Sequence, residues 1–358
     1  MDKLFVQTST HPYFIYVEKD LRFSIPALLP KTYSSFFLIT DDTVADLYLN
    51  DCLQGLPPDA QVFHSIIKHG EQAKGIETYY QLLTDAIANG LDRQSLIIAL
   101  GGGVVGDVAG FVAATFMRGI DYIQMPTTIL AHDSSVGGKV AINHDLGKNL
   151  IGSFYPPSAV IYDTAMLASL DEREIRSGYA ELVKEALIAD ATFFEELMHT
   201  NLATLTTQQL ARDLLRGMSI KAKIVEADEK EAGIRKYLNL GHTLGHALEA
   251  ELGYGKLTHG EAVAIGTLFA LHVSEQHYSI SLPYAKLYDW LKQNNYPLSL
   301  PAFDTEPLRN KMKTDKKSIA NKIHMVLIKQ IGDLADVEID DQQMTLSLES
   351  FYRKLVRK

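Results

Sequence analysis

At 358 residues, 46% hydrophobic and 22% charged, the chain is long enough for two domains with separate cores and has no compositional sign of disorder. A formal charge of -10 sets a repulsion against nucleic acid and anionic bilayers, so neither is an expected partner. The single cysteine, Cys52, excludes an intrachain disulfide framework and reads as structural, since no activating His or Lys adjoins it. The opening MDKLFVQTSTHPYF has polar residues where a secretory leader needs an unbroken apolar core, so a cytoplasmic location is expected.

Up to about Tyr162 short apolar runs alternate with helical segments. SSFFLIT, QVFHSII, SLIIAL, YIQMP and AVIYD read as buried strands, and GIETYYQLLTDAIANG as a crossover helix. The stretch Ser95–Met117 carries one charge, Asp107, over a length near the ~20 residues of a membrane span. Three successive glycines in its centre oppose a continuous helix and favour strand, turn, helix. SLDERE offers Ser169 as a helix N-cap. From about Asp171 long helical stretches dominate, and KIHMVLIKQIG alternates like a late strand. The expectation is an α/β fold: a Rossmann-like parallel-sheet domain over residues 1–170, then a mainly α-helical domain over 171–358.

The glycine turn matches G-x-G-x-x-G at Gly101, Gly103 and Gly106, which would set backbone N–H groups and a helix start against a pyrophosphate. The next strand ends in MPTT instead of an acidic residue, so the usual dinucleotide context is missing, and close packing accounts for the glycines equally well. Asp41, directly after a strand, offers an acidic partner elsewhere in the sheet.

Arg235, Asn239, His242 and His246 recur at intervals of four, three and four, which predicts one polar stripe on an otherwise apolar helix. A solvated face is the plain explanation. The alternative is a metal site, since His242, His246 and nearby His259 cluster and a catalytic zinc commonly takes two imidazoles and a carboxylate. Glu181 is a candidate third ligand, with Lys184 on the same helix face, and His246 competes with His242. THGEA places His259 at a helix start. Arg118, Lys139, Lys148, Lys184, Lys221, Arg235, Lys316 and Lys317 stand beside Gly, Asn and His, a setting that suits a small substrate with several negative charges.

GGGVVGDVAGF, MPTTILAHDSSVGGKVAIN, GKNLIGSFYPP, GYAELVK, ADEKEAGIRKYLNLGHTLGHALE and THGEAVAIG together resemble the 3-dehydroquinate synthase family of sugar-phosphate cyclases. The resemblance runs from HGEQAK at His69 to DKK at Asp315. It implies a cytoplasmic homodimer that uses NAD and a divalent metal, zinc or cobalt, to turn 3-deoxy-D-arabino-heptulosonate 7-phosphate into 3-dehydroquinate and phosphate. Carried over by motif, the metal ligands would be Glu181, His242 and His259. NAD would be held by Asp41, by Gly70, Glu71, Gln72, Ala73 and Lys74, by Gly103, Val104, Val105, Gly106 and Asp107, by Thr127 and Thr128, by Lys139 and Lys148, and by Met166, Leu167, Ala168 and Ser169. Lys221 and Arg235 would hold the substrate carboxylate, and Lys139, Asn149, Asn239, His246 and one of Lys316 or Lys317 its phosphate. Arg118 would reach across a dimer interface, and Asp133, Lys184 and Glu231 would complete the polar shell.

Such chemistry ends with no net redox change: hydride leaves, phosphate is eliminated, hydride returns, and an aldol step closes the ring. The substrate phosphate would take the proton, so no dedicated strong base is expected. A metal-dependent polyol dehydrogenase and a cyclase acting on a sugar phosphate without a carboxylate are the rival enzymes, and a silent NAD or metal sensor the non-enzymatic one. Lys221, Asp228, Arg235 and His246 favour the acid substrate.

Overall fold

The computed structural model describes residues 1–253, 255–299, 305–314 and 322–356. Lys316 and Lys317 lie outside the described residues. The strands in chain order are β1 (Asp2–Val6), β2 (Tyr13–Glu18), β3 (Ser35–Asp41), β4 (Gln61–Ile67), β5 (Leu96–Gly101), β6 (Tyr122–Pro126), β7 (Lys139–His144), β8 (Gly147–Phe154), β9 (Ala159–Asp163), β10 (Ile323–Gln330) and β11 (Asp333–Ile339). All five strands read from the first half of the sequence are present, and the late one is β10. β1, β2, β7, β8 and β11 do not stand out as apolar runs because their outward residues break the pattern, as in β8, which is buried at no position.

Two compact units divide the chain: Met1–Leu170 with Thr206–Lys230, and Asp171–Leu205 with Glu231–Lys358. The division differs from a single cut after residue 170 by one segment. The helix Thr207–Ala227 belongs with the first unit, where the amino-terminal strand region is tied to its end by Gln7 N–H donating to Glu226 at 2.8 Å and Ser9 N–H to Glu229 at 2.8 Å.

In the first unit a seven-stranded sheet runs β1-β2-β9-β6-β5-β3-β4, parallel throughout except for β1 against β2. Phe37, Ile39, Ile97 and Ala99 face one core with Val105, Val108 and Val112. Phe36, Leu38, Ile98 and Leu100 face a second core on the other side. Burial on both faces is why these strands read as unbroken apolar runs. Ser95–Met117 is β5, the helix Gly103–Thr115 and a short 3-10 turn. Among the described residues no helix is long and apolar enough to cross a membrane. Cys52 is buried and its thiol pKa is pushed up to about 12 by that burial, the mark of a packing residue.

The second unit is mainly helical. Its central helix, His259–Tyr278, is buried at every residue from Gly260 to Ser274, so it shows no amphipathic face. Glu172–Ala189, His242–Leu252 and the β10–β11 hairpin pack against that helix or one another. The first of these helices is capped by Asp171, whose side chain accepts from Glu174 N–H at 2.8 Å. Ser169 is not the cap, because it closes the 3-10 turn Thr164–Ser169 and its hydroxyl donates back to Met166 O.

Candidate active site

The parallel strands of the first unit deliver most of the residues assigned to NAD to one edge of the sheet. β3 ends on Asp41, β4 leads into Gly70–Lys74, β5 into Gly103–Asp107, β6 into Thr127 and Thr128, and β9 into the turn holding Met166–Ser169. The carboxyl ends of parallel strands are where α/β sheets bind ligands, since helix starts and loop N–H groups converge there. The helix Gly103–Thr115 begins from Gly102 without a side-chain cap, leaving first-turn N–H groups for an anion. Its leading glycines have no left-handed residue among them. They provide room: a Cβ on Gly103 would stand 3.2 Å from Ser134 Oγ, and one on Gly102 3.3 Å from Thr128 Cγ2.

Asp41 Oδ1 accepts from Val44 N–H at 2.9 Å, and burial raises its carboxyl pKa against that bond. Lys74, 4% exposed, places its ammonium on Asp107. Burial pushes the Asp107 pKa up and the Lys74 charge works against it. This pair fastens the Gly70–Lys74 loop to the glycine-turn helix. Lys221, buried on Thr207–Ala227, ion-pairs with Asp133 Oδ1 at 2.9 Å and also donates to the Asp133 carbonyl. Lys139 opens β7, and Lys148 and Asn149 lie on β8. Arg118 is apart from these. It is exposed, with φ +70, in the turn that precedes β6, at the opposite edge of the sheet from the glycine turn.

In the second unit the expected single polar stripe is broken in two. Arg235 and Asn239 lie on a 3-10 turn, Ile234–Asn239, and Gly241, with φ +79, redirects the chain before His242 begins the next helix. A Cβ at Gly241 would sit 2.4 Å from Thr267 Oγ1, so both its backbone angle and the space demand glycine. Even so, the break keeps the imidazoles together. His242, His246 and His259 bring ring nitrogens within 4.8 Å of one another, and Glu181 Oε1 lies 3.6 Å from His242 Nε2 and 3.5 Å from His259 Nε2. Lys184 pairs with Glu181, both about 1% exposed. Asn239 Nδ2 donates to Glu231 Oε1 at 3.2 Å, and Arg235 is 2% exposed.

Two rings are aimed through their other nitrogen. His242 Nδ1–H donates to Leu240 O at 3.1 Å and His259 Nδ1–H to Glu249 at 3.1 Å, which leaves both Nε2 atoms toward Glu181. This is the arrangement that fixes tautomer and orientation in metal-binding histidines. Burial works to lower the His259 pKa, but hydrogen bonds and charge from Glu181 and Glu249 outweigh it and push it up to about 10. The donor set of imidazoles and one carboxylate suits a divalent cation such as zinc or cobalt.

The groups that hold this cluster carry little signal in the sequence. Gly260 lets two helices touch, since a Cβ there would lie 1.9 Å from Ser177 O. Glu261 joins Thr258 in a capping box and takes Arg176 at 2.7 Å and Arg173 at 3.2 Å, so the helix start carrying His259 is pinned. The T-x-x-E spacing of Thr258 and Glu261 was a readable signal of that cap. Glu249 had none, because a lone acid on a helix is ordinarily solvated.

The 3-dehydroquinate synthase N-terminal family matches residues 64–177 and the 3-dehydroquinate synthase C-terminal family residues 178–318. The chain belongs to the 3-dehydroquinate synthase family. It is 56% identical over 356 residues to the 3-dehydroquinate synthase of Oceanobacillus iheyensis, covering 99% of both chains. With that of Geobacillus kaustophilus it shares 51% over 357 residues, 98% of both. Among solved structures, 2-deoxy-scyllo-inosose synthase complexed with carbaglucose-6-phosphate, NAD+ and Co2+ superposes with a TM-score of 0.89 at 26% identity, covering 98% of this chain and 100% of that one. The family relationship therefore spans both the sheet edge and the histidine cluster.

Proposed function

We propose that the chain converts 3-deoxy-D-arabino-heptulosonate 7-phosphate into 3-dehydroquinate and inorganic phosphate, using NAD catalytically and a divalent cation at Glu181, His242 and His259. The observation that carries the proposal is the Glu181–His242–His246–His259 cluster, in a chain whose full-length relatives are named for this reaction. When bound, NAD takes up and returns a hydride and the cation acidifies the hydroxyl at that carbon.

The protein's own residues bind and position. The uncapped start of Gly103–Thr115 receives the dinucleotide phosphates, with the Lys74–Asp107 pair holding the neighbouring loop. Lys221 and Arg235 take the substrate carboxylate, which separates this substrate from sugar phosphates that lack one. Lys139, Asn149, Asn239 and His246 take the phosphate. Lys184, paired with Glu181, holds that carboxylate in place, and Glu231 orients Asn239. Fixing both ends of a flexible sugar acid supplies the several kcal/mol that orientation is worth, roughly, in intramolecular reactions. Arg118, exposed at the far edge of the sheet, serves a second copy in a cytoplasmic homodimer.

The test is phosphate release from the heptulosonate phosphate with trace NAD. Stoichiometric phosphate without a lasting rise in nicotinamide absorbance is expected. NADH accumulating on a polyol would instead identify a dehydrogenase, and phosphate release only from a carboxylate-free sugar phosphate would identify another cyclase.

A further inference from the structure

β7 and β8 pair in register at Ile142↔Ile151, but His144 pairs with Gly147, so Lys148, Asn149 and Leu150 stand opposite Asn143 alone. A bulge of that kind re-aims side chains at the expense of ladder bonds. Asn149 sits at its crest with φ +55, a left-handed conformation that asparagine tolerates better than most residues.

Asn143 replaces the missing ladder. Its Oδ1 accepts from Asn149 N–H at 2.9 Å, and its Nδ2 donates to Glu71 Oε1 at 2.8 Å. Its own N–H donates to Lys74 O at 2.7 Å, and Lys74 is the residue paired with Asp107. One half-buried amide thus spans the Gly70–Lys74 loop and the bulge that presents Lys148 and Asn149. Both of its side-chain ends are committed, and no atom of it needs a ligand.

We infer that Asn143 is a positioning residue that couples the dinucleotide loop to the placement of the phosphate-binding bulge, so that NAD and the sugar phosphate strengthen each other's binding through this chain. The inference rests on the functional assignment of these two segments made above. The amide is suited to the role because it accepts at one end and donates at the other. A carboxylate there would face Glu71 with like charge, and an aliphatic side chain would leave the bulge N–H unmet.

The experiment compares the unmodified protein with Asn143→Ala, Asn143→Asp, Glu71→Gln and the Asn143→Asp/Glu71→Gln pair, measuring NAD dissociation by equilibrium dialysis and kcat and KM by phosphate release. In Asn143→Ala both the NAD dissociation constant and the KM for the heptulosonate phosphate should rise about tenfold, the factor one net hydrogen bond supplies, with kcat moving less. Asn143→Asp should be worse. The double variant should recover to within about twofold of Glu71→Gln, the scatter of independent effects, because the new amide at 71 donates to the new carboxylate at 143 while Asn149 N–H keeps its acceptor. A residue serving stability alone would lower the melting temperature and leave both constants in place. The inference is overturned if folded Asn143→Ala keeps both constants within about twofold of the parent. Should that variant fail to fold, a double variant no better than Asn143→Asp overturns it equally. If the unmodified protein binds NAD but releases no phosphate, the functional assignment fails instead, and the dialysis series still decides the loop half of the coupling.

Discussion

The sheet unit and the helical unit assemble their candidate sites by different means. In the first, Asp41, Gly103–Asp107, Thr127 and Met166–Ser169 ride on the ends of parallel strands, and what they offer is largely backbone. In the second, Glu181, His242, His246 and His259 project from helices that approach closely at Gly260, against Ser177, and at Gly245, against Ala262, and what they offer is side-chain donors held by buried acids and cations. A site made of backbone tolerates side-chain change and depends on where loops are tied. A site made of side chains depends on each donor and on the partner behind it.

Breaking the helical site should leave the sheet site intact, and the reverse. The largest effect is expected from His242→Ala, which should lose the cation and essentially all phosphate release while binding NAD as before. Metal analysis of the dialysed protein beside an NAD titration checks both halves. Lys74→Met should do the opposite, keeping the cation and losing NAD affinity. It also strands Asp107, buried beside it, for a stability loss of about 3 kcal/mol in urea unfolding. Gly260→Ala forces a methyl into Ser177 O, and about 2 kcal/mol of destabilisation should accompany weaker metal retention. Glu249→Gln removes the carboxylate behind His259, and chelator competition should show about 10- to 100-fold weaker metal binding with the fold unchanged.

A pH slope away from the site leaves both sites in place and so has the smallest effect on activity. His272, 7% exposed and bonded to Ser350 Oγ at 2.8 Å, has its pKa lowered to about 4, chiefly by burial and further by Lys354. The unfolded imidazole takes a proton below its ordinary value near 6.5 while the folded one resists, so stability is complete above that pH and falls as pH drops toward 4. The slope is on the order of 1.4 kcal/mol per pH unit at most. Denaturant unfolding of His272→Gln should lack this component.

Sheet strands and histidine cluster were legible in the sequence for the same physical reason. Strands buried on both faces leave continuous apolar runs, and polar residues on apolar helices stand out. The break at Gly241 was hidden because three-residue and four-residue spacings look alike across a 3-10 turn and an α-helix, although the glycine marked the spot. Asn143 was invisible because its meaning lies in a register shift between β7 and β8. Glu249 was invisible because its partner, His259, is reached only through the fold. The helix Thr207–Ala227 joined the sheet unit against expectation, since helical periodicity tells which face is apolar and not which core receives it.

The most direct measurement is phosphate release from the heptulosonate phosphate by protein stripped with a chelator, supplied with trace NAD, and then titrated with zinc or cobalt. Activity should be absent after stripping and return in full at one ion per chain, with no net NADH formed. Undiminished phosphate release from the metal-free protein would contradict the assignment of Glu181, His242 and His259.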